Sequence, residues 1–221
     1  MNVAFPPLYS IIDTGLLTTS EPSFAERMAE AGVELLQYRN KRATPRQLFE
    51  ISQSLFAALR SWSERNSKQV RFIVNDRPDI ALLAGAGGVH VGQTDLPVED
   101  ARAIVGPDRW VGVSTHTLEQ VRAADQTSAD YIAFGPVFAT ATKENPDAIV
   151  GLDGLAAVRA LTRKPLVAIG GITLDRAADT YRAGADSLAV ARDLITAPDP
   201  AARLREFLRV AQSETSRRAA S

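Results

Sequence analysis

The sequence predicts a closed (β/α)8 barrel, and three observations carry that expectation. Eight short apolar, β-rich runs alternate with amphipathic segments along the 221 residues. Such alternation implies parallel strands joined by right-handed helical crossovers. Eight units in this length sit near the short end for a closed barrel. An open doubly wound sheet is the runner-up, but it calls for a glycine-rich GxGxxG after the first strand. Asp13-Thr14-Gly15-Leu16 stands there instead.

The elements follow in order. LYSIID (8–13) is the first strand and SFAERMAEAG the first helix. LLQYRN (35–40) leads into a long helical stretch, 45–66, where Thr44 is a fitting N-cap and Pro45 a fitting first helical residue. RFIVND (71–76) precedes RPDIALLAG, GVHVG (88–92) precedes VEDARAIVG, and WVGVST (110–115) precedes TLEQVRAADQTS. YIAFG (131–135) is followed, after a loop, by LDGLAAVRALT. PLVAIGG (165–171) precedes TLDRAADTYRAG, and SLAVAR (187–192) precedes DPAARLREFLRVAQ. Gly32, Gly85, Gly106 and Gly184 close helices, where a residue with positive φ is wanted. No linker or composition break divides the chain, so 1–221 reads as one domain. The polar, aperiodic end SETSRRAAS reads as a frayed tail from about residue 213.

Bulk chemistry narrows the function classes. Hydrophobic residues make up 45% and charged residues 23%, the ordinary balance of a soluble globular protein. A net charge of −1 gives no global field for nucleic acid or an anionic membrane. Cysteine is absent, which removes disulfides, thiolate nucleophiles and zinc–thiolate sites. No signal peptide and no bilayer-length apolar run is present, so a cytoplasmic protein is expected. A homo-oligomer is compatible with the sequence, which does not specify one.

In a barrel of this kind the active site lies at the C-terminal strand ends, and unusual polar groups collect there. Strand 2 ends Gln37-Tyr38-Arg39-Asn40-Lys41, and period two puts Gln37, Arg39 and Lys41 on one face. Strand 3 ends Asn75-Asp76, and Gly92-Gln93-Thr94-Asp95 follows strand 4. Asp76 and Asp95 either cap the next helices or, beside a basic cluster, supply hard oxygen ligands for Mg²⁺. Strand 5 delivers Ser114, a donor for a phosphate oxygen or for a backbone group. His90 and His116, the two histidines, read as structural or pocket-lining. Thr140, Thr142 and Lys143 follow strand 6. Gly170-Gly171 ends strand 7, letting backbone N–H groups approach a phosphate. Arg192 ends strand 8, where it meets that phosphate or pairs with Asp186 or Asp193. Seven strand ends thus bring anion- or metal-binding groups to one rim. That is a site for more phosphate charge than one monoester carries, with Mg²⁺ neutralising part of it.

The stretches QYRNK, VNDRPDIALLAGAGGVHVGQTDLP, GVSTHTLEQVRAADQTSADYIAFGPVFATATK and VAIGGIT carry a resemblance over nearly the whole chain. It resembles the thiamine-phosphate synthase family. The resemblance implies a transferase that joins 4-amino-2-methyl-5-hydroxymethylpyrimidine diphosphate to a thiazole phosphate, releasing pyrophosphate. By motif, Gln37, Tyr38, Arg39, Asn40, Lys41 and Asn75 correspond to contacts with the pyrimidine diphosphate. Ser114 and Lys143 correspond to further diphosphate contacts, and Asp76 and Asp95 to Mg²⁺ ligands. Thr140, Ala141, Thr142, Gly171, Ala191 and Arg192 correspond to thiazole-phosphate contacts. Arg39, Lys41, Ser114 and Lys143 are the expected catalytic set. Tyr38 and Asn40 replace the family's usual Leu and Glu on positions that should face away from the interior. Ala191-Arg192 replaces a valine-serine pair. TLDR after the glycines is similar to thiazole tautomerase relatives, the first rival reading. Asp76, Asp95 and Pro136 favour the synthase, since such relatives lose the aspartates and carry histidine at the proline. A non-catalytic homologue that binds phosphorylated ligands is the second rival.

Overall fold

A computed structural model describes residues 5–140 and 148–220. Eight parallel strands close into a barrel in chain order, β1 to β8, with β1 paired to both β2 and β8. They are β1 (Leu8–Asp13), β2 (Leu35–Arg39), β3 (Arg71–Asn75), β4 (Gly88–Val91), β5 (Trp110–Thr115), β6 (Tyr131–Phe134), β7 (Leu166–Ile169) and β8 (Ser187–Val190). The helices between and after them are α1 (Glu21–Ala31), α2 (Pro45–Asn66), α3 (Pro78–Leu83), α4 (Val98–Val105), α5 (Leu118–Asp125), α6 (Gly151–Arg159), α7 (Leu174–Arg182), α8 (Arg192–Ile195) and α9 (Pro200–Ala220). The predicted barrel is the observed one. No helix among the described residues is long and apolar enough to cross a membrane.

Period-two alternation along each strand separates two apolar layers. Leu8, Ile12, Leu36, Tyr38, Phe72, Val74, Val89 and Val91 point outward and pack under the helices. Tyr9, Ile11, Leu35, Ile73, Tyr131, Ala133, Val167 and Ala189 fill the inside. The lower end is closed by aromatic contacts. Phe5 stacks on Trp110 with centroids 5.1 Å apart, and the Arg71 guanidinium lies 4.0 Å from the Trp110 ring centroid. Gly112 makes room for the Tyr131 ring, since a Cβ at 112 would stand 2.0 Å from its Cζ.

Local signals in the sequence have their expected partners. Thr44 and Gln47 form a reciprocal capping box at the start of α2, with Pro45 in its first turn. Gly32, Gly85, Gly106 and Gly184 all have positive φ. Two expectations are corrected. β8 stops at Val190, and Arg192 opens the one-turn α8 instead of ending the strand. The C-terminal segment is not frayed from 213: α9 continues to Ala220. Its Glu214 is buried and accepts from Arg182 of α7 at 2.7 Å, and Arg218 reaches the Ala185 carbonyl at 3.2 Å. Ionic fastening to α7 supplies what the apolar pattern lacks.

Candidate active site

The C-terminal strand ends surround a cavity of about 630 Å³. The β2 alternation delivers Gln37, Arg39 and Lys41 to it, as period two requires. Tyr38 faces the other way. Its ring is buried beneath the helices and its hydroxyl accepts from Asn40 Nδ2 at 3.2 Å, so its side chain does not reach the cavity that a pyrimidine-diphosphate contact would require. Asn40 lines an adjoining pocket of about 490 Å³, which shares Lys41, Asn75, Asp76 and Asp95 with the main cavity. Its Oδ1 accepts from the backbone of Arg42 and Ala43, so it shapes the loop after β2.

The cations of this half are paired with carboxylates. Arg39 forms an ion pair with Asp13 at the end of β1. Lys41 forms one with Asp76. Asp76 has φ +64°, a backbone conformation that non-glycine residues rarely adopt, and Arg77 rather than Asp76 is the N-cap of α3. Asp95 accepts from Gly92 N at 2.7 Å inside its own loop. Neither aspartate spends its carboxylate on a following helix, which removes the capping alternative. Burial pushes the Asp76 carboxyl above its usual range; Lys41 opposes that and the neighbouring Asp95 adds to it. The Asp76 and Asp95 carboxylates thus adjoin at the ends of β3 and β4, with Lys41 against Asp76.

Below them, inside the barrel, polar side chains link up across the strands. Gln37 Nε2 donates to the Tyr9 hydroxyl at 2.8 Å. The Tyr9 and Tyr131 hydroxyls are 2.8 Å apart, and Tyr131 lies 3.1 Å from His90 Nδ1. His90 Nε2 is 2.8 Å from Ser114 Oγ. Burial pushes the His90 pKa down to about 4, so its ring is neutral near pH 7. His116 also lines the cavity, with Nδ1 against the Gly135 carbonyl.

The other half of the rim is built mainly from backbone. Gly170 and Gly171 have φ of +94° and +64°. A Cβ on Gly171 would stand 2.4 Å from the Ala139 carbonyl oxygen, and one on Gly170 2.5 Å from Pro136. Only glycine fits this close approach between the β6 and β7 loops. Thr140, Gly171, Ala191 and Arg192 all line the cavity there. The two carboxylates weighed as Arg192 partners are taken by other arginines, Asp193 by Arg203 and Asp186 by Arg159. Ala141, Thr142 and Lys143 lie outside the described residues.

The cavity also holds residues that sequence reasoning passed over. Asp13 and Tyr9 follow from applying the β2 alternation to β1. Arg176, in the first turn of α7, also lines it; its Nη1 donates to the Gly171 carbonyl at 2.8 Å and its guanidinium lies 4.7 Å from the Phe138 ring centroid.

Known proteins resemble this chain along most of its length. A family model described as thiamine monophosphate synthase matches residues 8–194. The chain belongs to the thiamine monophosphate synthase family. It is 48% identical over 218 residues to a thiamine-phosphate synthase of Koribacter versatilis, covering 96% of this chain and 99% of that one. It is 43% identical to the thiamine-phosphate synthase of Chloroflexus aurantiacus, covering 96% and 95%. The solved thiamine phosphate pyrophosphorylase of Pyrococcus furiosus superposes with a TM-score of 0.82 at 31% identity, covering 94% of this chain and 96% of that one. Family membership makes the chain a transferase of thiamine biosynthesis.

Proposed function

We propose that the cavity joins the two halves of thiamine phosphate, using β2–β5 for a pyrimidine diphosphate and β6–β8 for a thiazole phosphate. The observation that carries this reading is the convergence of Arg39, Lys41, Asn75, Asp76, Asp95 and Ser114 on one half of a single cavity whose other half is a glycine cradle. The bond from the pyrimidine methylene carbon to the diphosphate oxygen breaks, with both electrons leaving on the diphosphate. The thiazole nitrogen then donates its lone pair to that carbon. An electron-rich aminopyrimidine tolerates positive charge at the methylene, and the nitrogen needs no deprotonation. Neither step asks for a covalent nucleophile or strong base. The demand is for charge stabilisation of the leaving diphosphate in a preorganised cleft, and for alignment of the two reactants.

Arg39, Lys41 and Ser114 meet the first demand as donors to the diphosphate, joined by Lys143 on the strength of its motif. Gln37 and the apolar floor of Ile11, Ala133, Val167 and Ala189 suit a flat ring. Thr140, Gly171, Ala191 and Arg192, with Ala141 and Thr142 by motif, meet the second demand at the thiazole phosphate. Two carboxylates suit a hard cation whose remaining ligands are water and phosphate oxygens. Among the described residues no cluster of three or more acidic, His or Cys side chains offers a fuller protein cage. Asp76 and Asp95 would hold Mg²⁺, and the bound ion would neutralise charge on the diphosphate. The adjoining aspartates and Pro136 weigh against the tautomerase and non-catalytic readings.

The test is pyrophosphate release with both substrates and Mg²⁺ supplied. Release should stop when the metal is chelated or the thiazole phosphate is left out. Steady release without either one would refute this assignment.

A further inference from the structure

Buried polar side chains run across the barrel interior from Gln37 to Ser114. A tyrosine hydroxyl carries one proton, and a neutral imidazole carries one N–H. Gln37 Nε2 donates to Tyr9 at 2.8 Å. Tyr9 gives its own proton a partner when it donates to Tyr131, 2.8 Å away, the direction taken here. Tyr131 in turn gives its proton to His90 Nδ1 at 3.1 Å. That leaves the His90 proton on Nε2, pointing at Ser114 Oγ 2.8 Å away. Ser114 accepts it, and its own proton is left to turn into the cavity it lines. In the reverse run Tyr9 would accept from both Gln37 and Tyr131 and leave its own buried proton without a partner in the run.

Tyr131 is the link that cannot be a substrate contact. It is fully buried, lies outside the cavity lining, and packs against Phe5, Tyr9, His90 and Trp110. We propose that Tyr131 is a positioning residue: by occupying His90 Nδ1 it fixes the Nε2–H tautomer, which holds the Ser114 hydroxyl as a donor toward an anionic group in the cavity. Ser114 then favours a phosphate oxygen over a ligand N–H. The Gln37 carbonyl oxygen, at the opposite end, makes no hydrogen bond among the described residues. The run is therefore set by the amide as it stands, with Nε2 toward Tyr9, before any ligand binds. The role of Tyr131 rests on the diphosphate reading of Ser114.

Tyr131→Phe removes one oxygen and keeps the ring. Its kcat should fall about tenfold, the cost of about one ordinary hydrogen bond, with the KM for thiazole phosphate unchanged. In a Ser114→Ala background the same change should cost less than about twofold, because residues acting through one another are not additive. Nitrogen-15 spectra of the ligand-free protein give a readout without turnover: His90 should be the Nε2–H tautomer in the parent and a tautomer mixture in Tyr131→Phe. A parent His90 protonated on Nδ1 would overturn the proposal, and so would an equal kcat loss in both backgrounds. Parent-level turnover in Ser114→Ala would instead sink the diphosphate reading of Ser114, while the spectra still judge the hydrogen-bond run.

Discussion

The two halves of the rim handle charge differently. From β1 to β5 the groups are side chains that already hold one another: Arg39 with Asp13, Lys41 with Asp76, His90 with Ser114. From β6 to β8 the cradle is backbone, shaped by Gly170 and Gly171, with Arg176 held by the Gly171 carbonyl and Arg192 at the rim. On the proposed reading, a ligand of the first half replaces these internal ion pairs with its own contacts, so it must offer enough negative charge to offset what Arg39 and Lys41 give up. A diphosphate does so better than a monophosphate. The second half asks no such exchange of its backbone. Its shape is set by the close approach of the two glycines to the β6 loop.

That contrast is open to attack from both sides, beginning where the loss should be greatest. Asp76→Ala removes a carboxylate from the proposed cation site and leaves Lys41 without its ion-pair partner. Turnover should drop by about 10²-fold or more, the usual scale for losing charge stabilisation of a leaving group. Parent-level rates in steady-state assays would refute the role. On the backbone side, Gly171→Ala forces a Cβ to within 2.4 Å of the Ala139 carbonyl at positive φ. It should cut kcat/KM for thiazole phosphate by about tenfold or more, the two loops being displaced, and should affect affinity for the pyrimidine diphosphate much less. Equal losses for both substrates would break the division of the rim. Arg192→Ala should act more mildly, raising the thiazole-phosphate KM about three- to tenfold at unchanged kcat, as removal of uniform binding does. An unchanged KM would return Arg192 to a structural role.

The legible parts of this molecule were local ones. Strand alternation on β2 separated Gln37, Arg39 and Lys41 from Tyr38 and Asn40, because a period of two needs no knowledge of neighbours. The capping box at Thr44 and the helix-closing glycines were equally self-contained. Asp13 escaped notice although it obeys the same alternation, because a single carboxylate at the end of LYSIID has no visible partner; Arg39, 26 residues later, supplies it. Tyr131 and Tyr9 are 122 residues apart, and in sequence each is only an apolar strand residue. The end of β8 is hidden in the sequence for a related reason. SLAVAR has strand character throughout, while the turn into α8 is made by the backbone at Ala191.

The C-terminal segment is the sharpest case of a long-range partner, and it yields the smallest of the expected effects. SETSRRAAS has no apolar stripe, yet Glu214 sits buried against α7 with Arg182 at 2.7 Å and Arg217 at 3.2 Å. Arg182 holds the Glu214 carboxyl below its ordinary range, with Arg217 and Arg218 contributing further. A depressed acid pKa means the folded state prefers the ionised form. The associated stability is present above the unfolded-state value, about 4.3 for Glu. It is lost as pH falls through the lower folded-state value. Glu214→Gln should therefore lower Tm slightly at neutral pH, with the gap to the parent closing below about pH 4. Amide exchange at the end of α9 should quicken in the same variant while the strands stay protected. A Tm gap that is constant from pH 7 to about pH 3 would show that Glu214 acts there by packing, and that the ion pair with Arg182 is not what keeps the last turns of α9 helical.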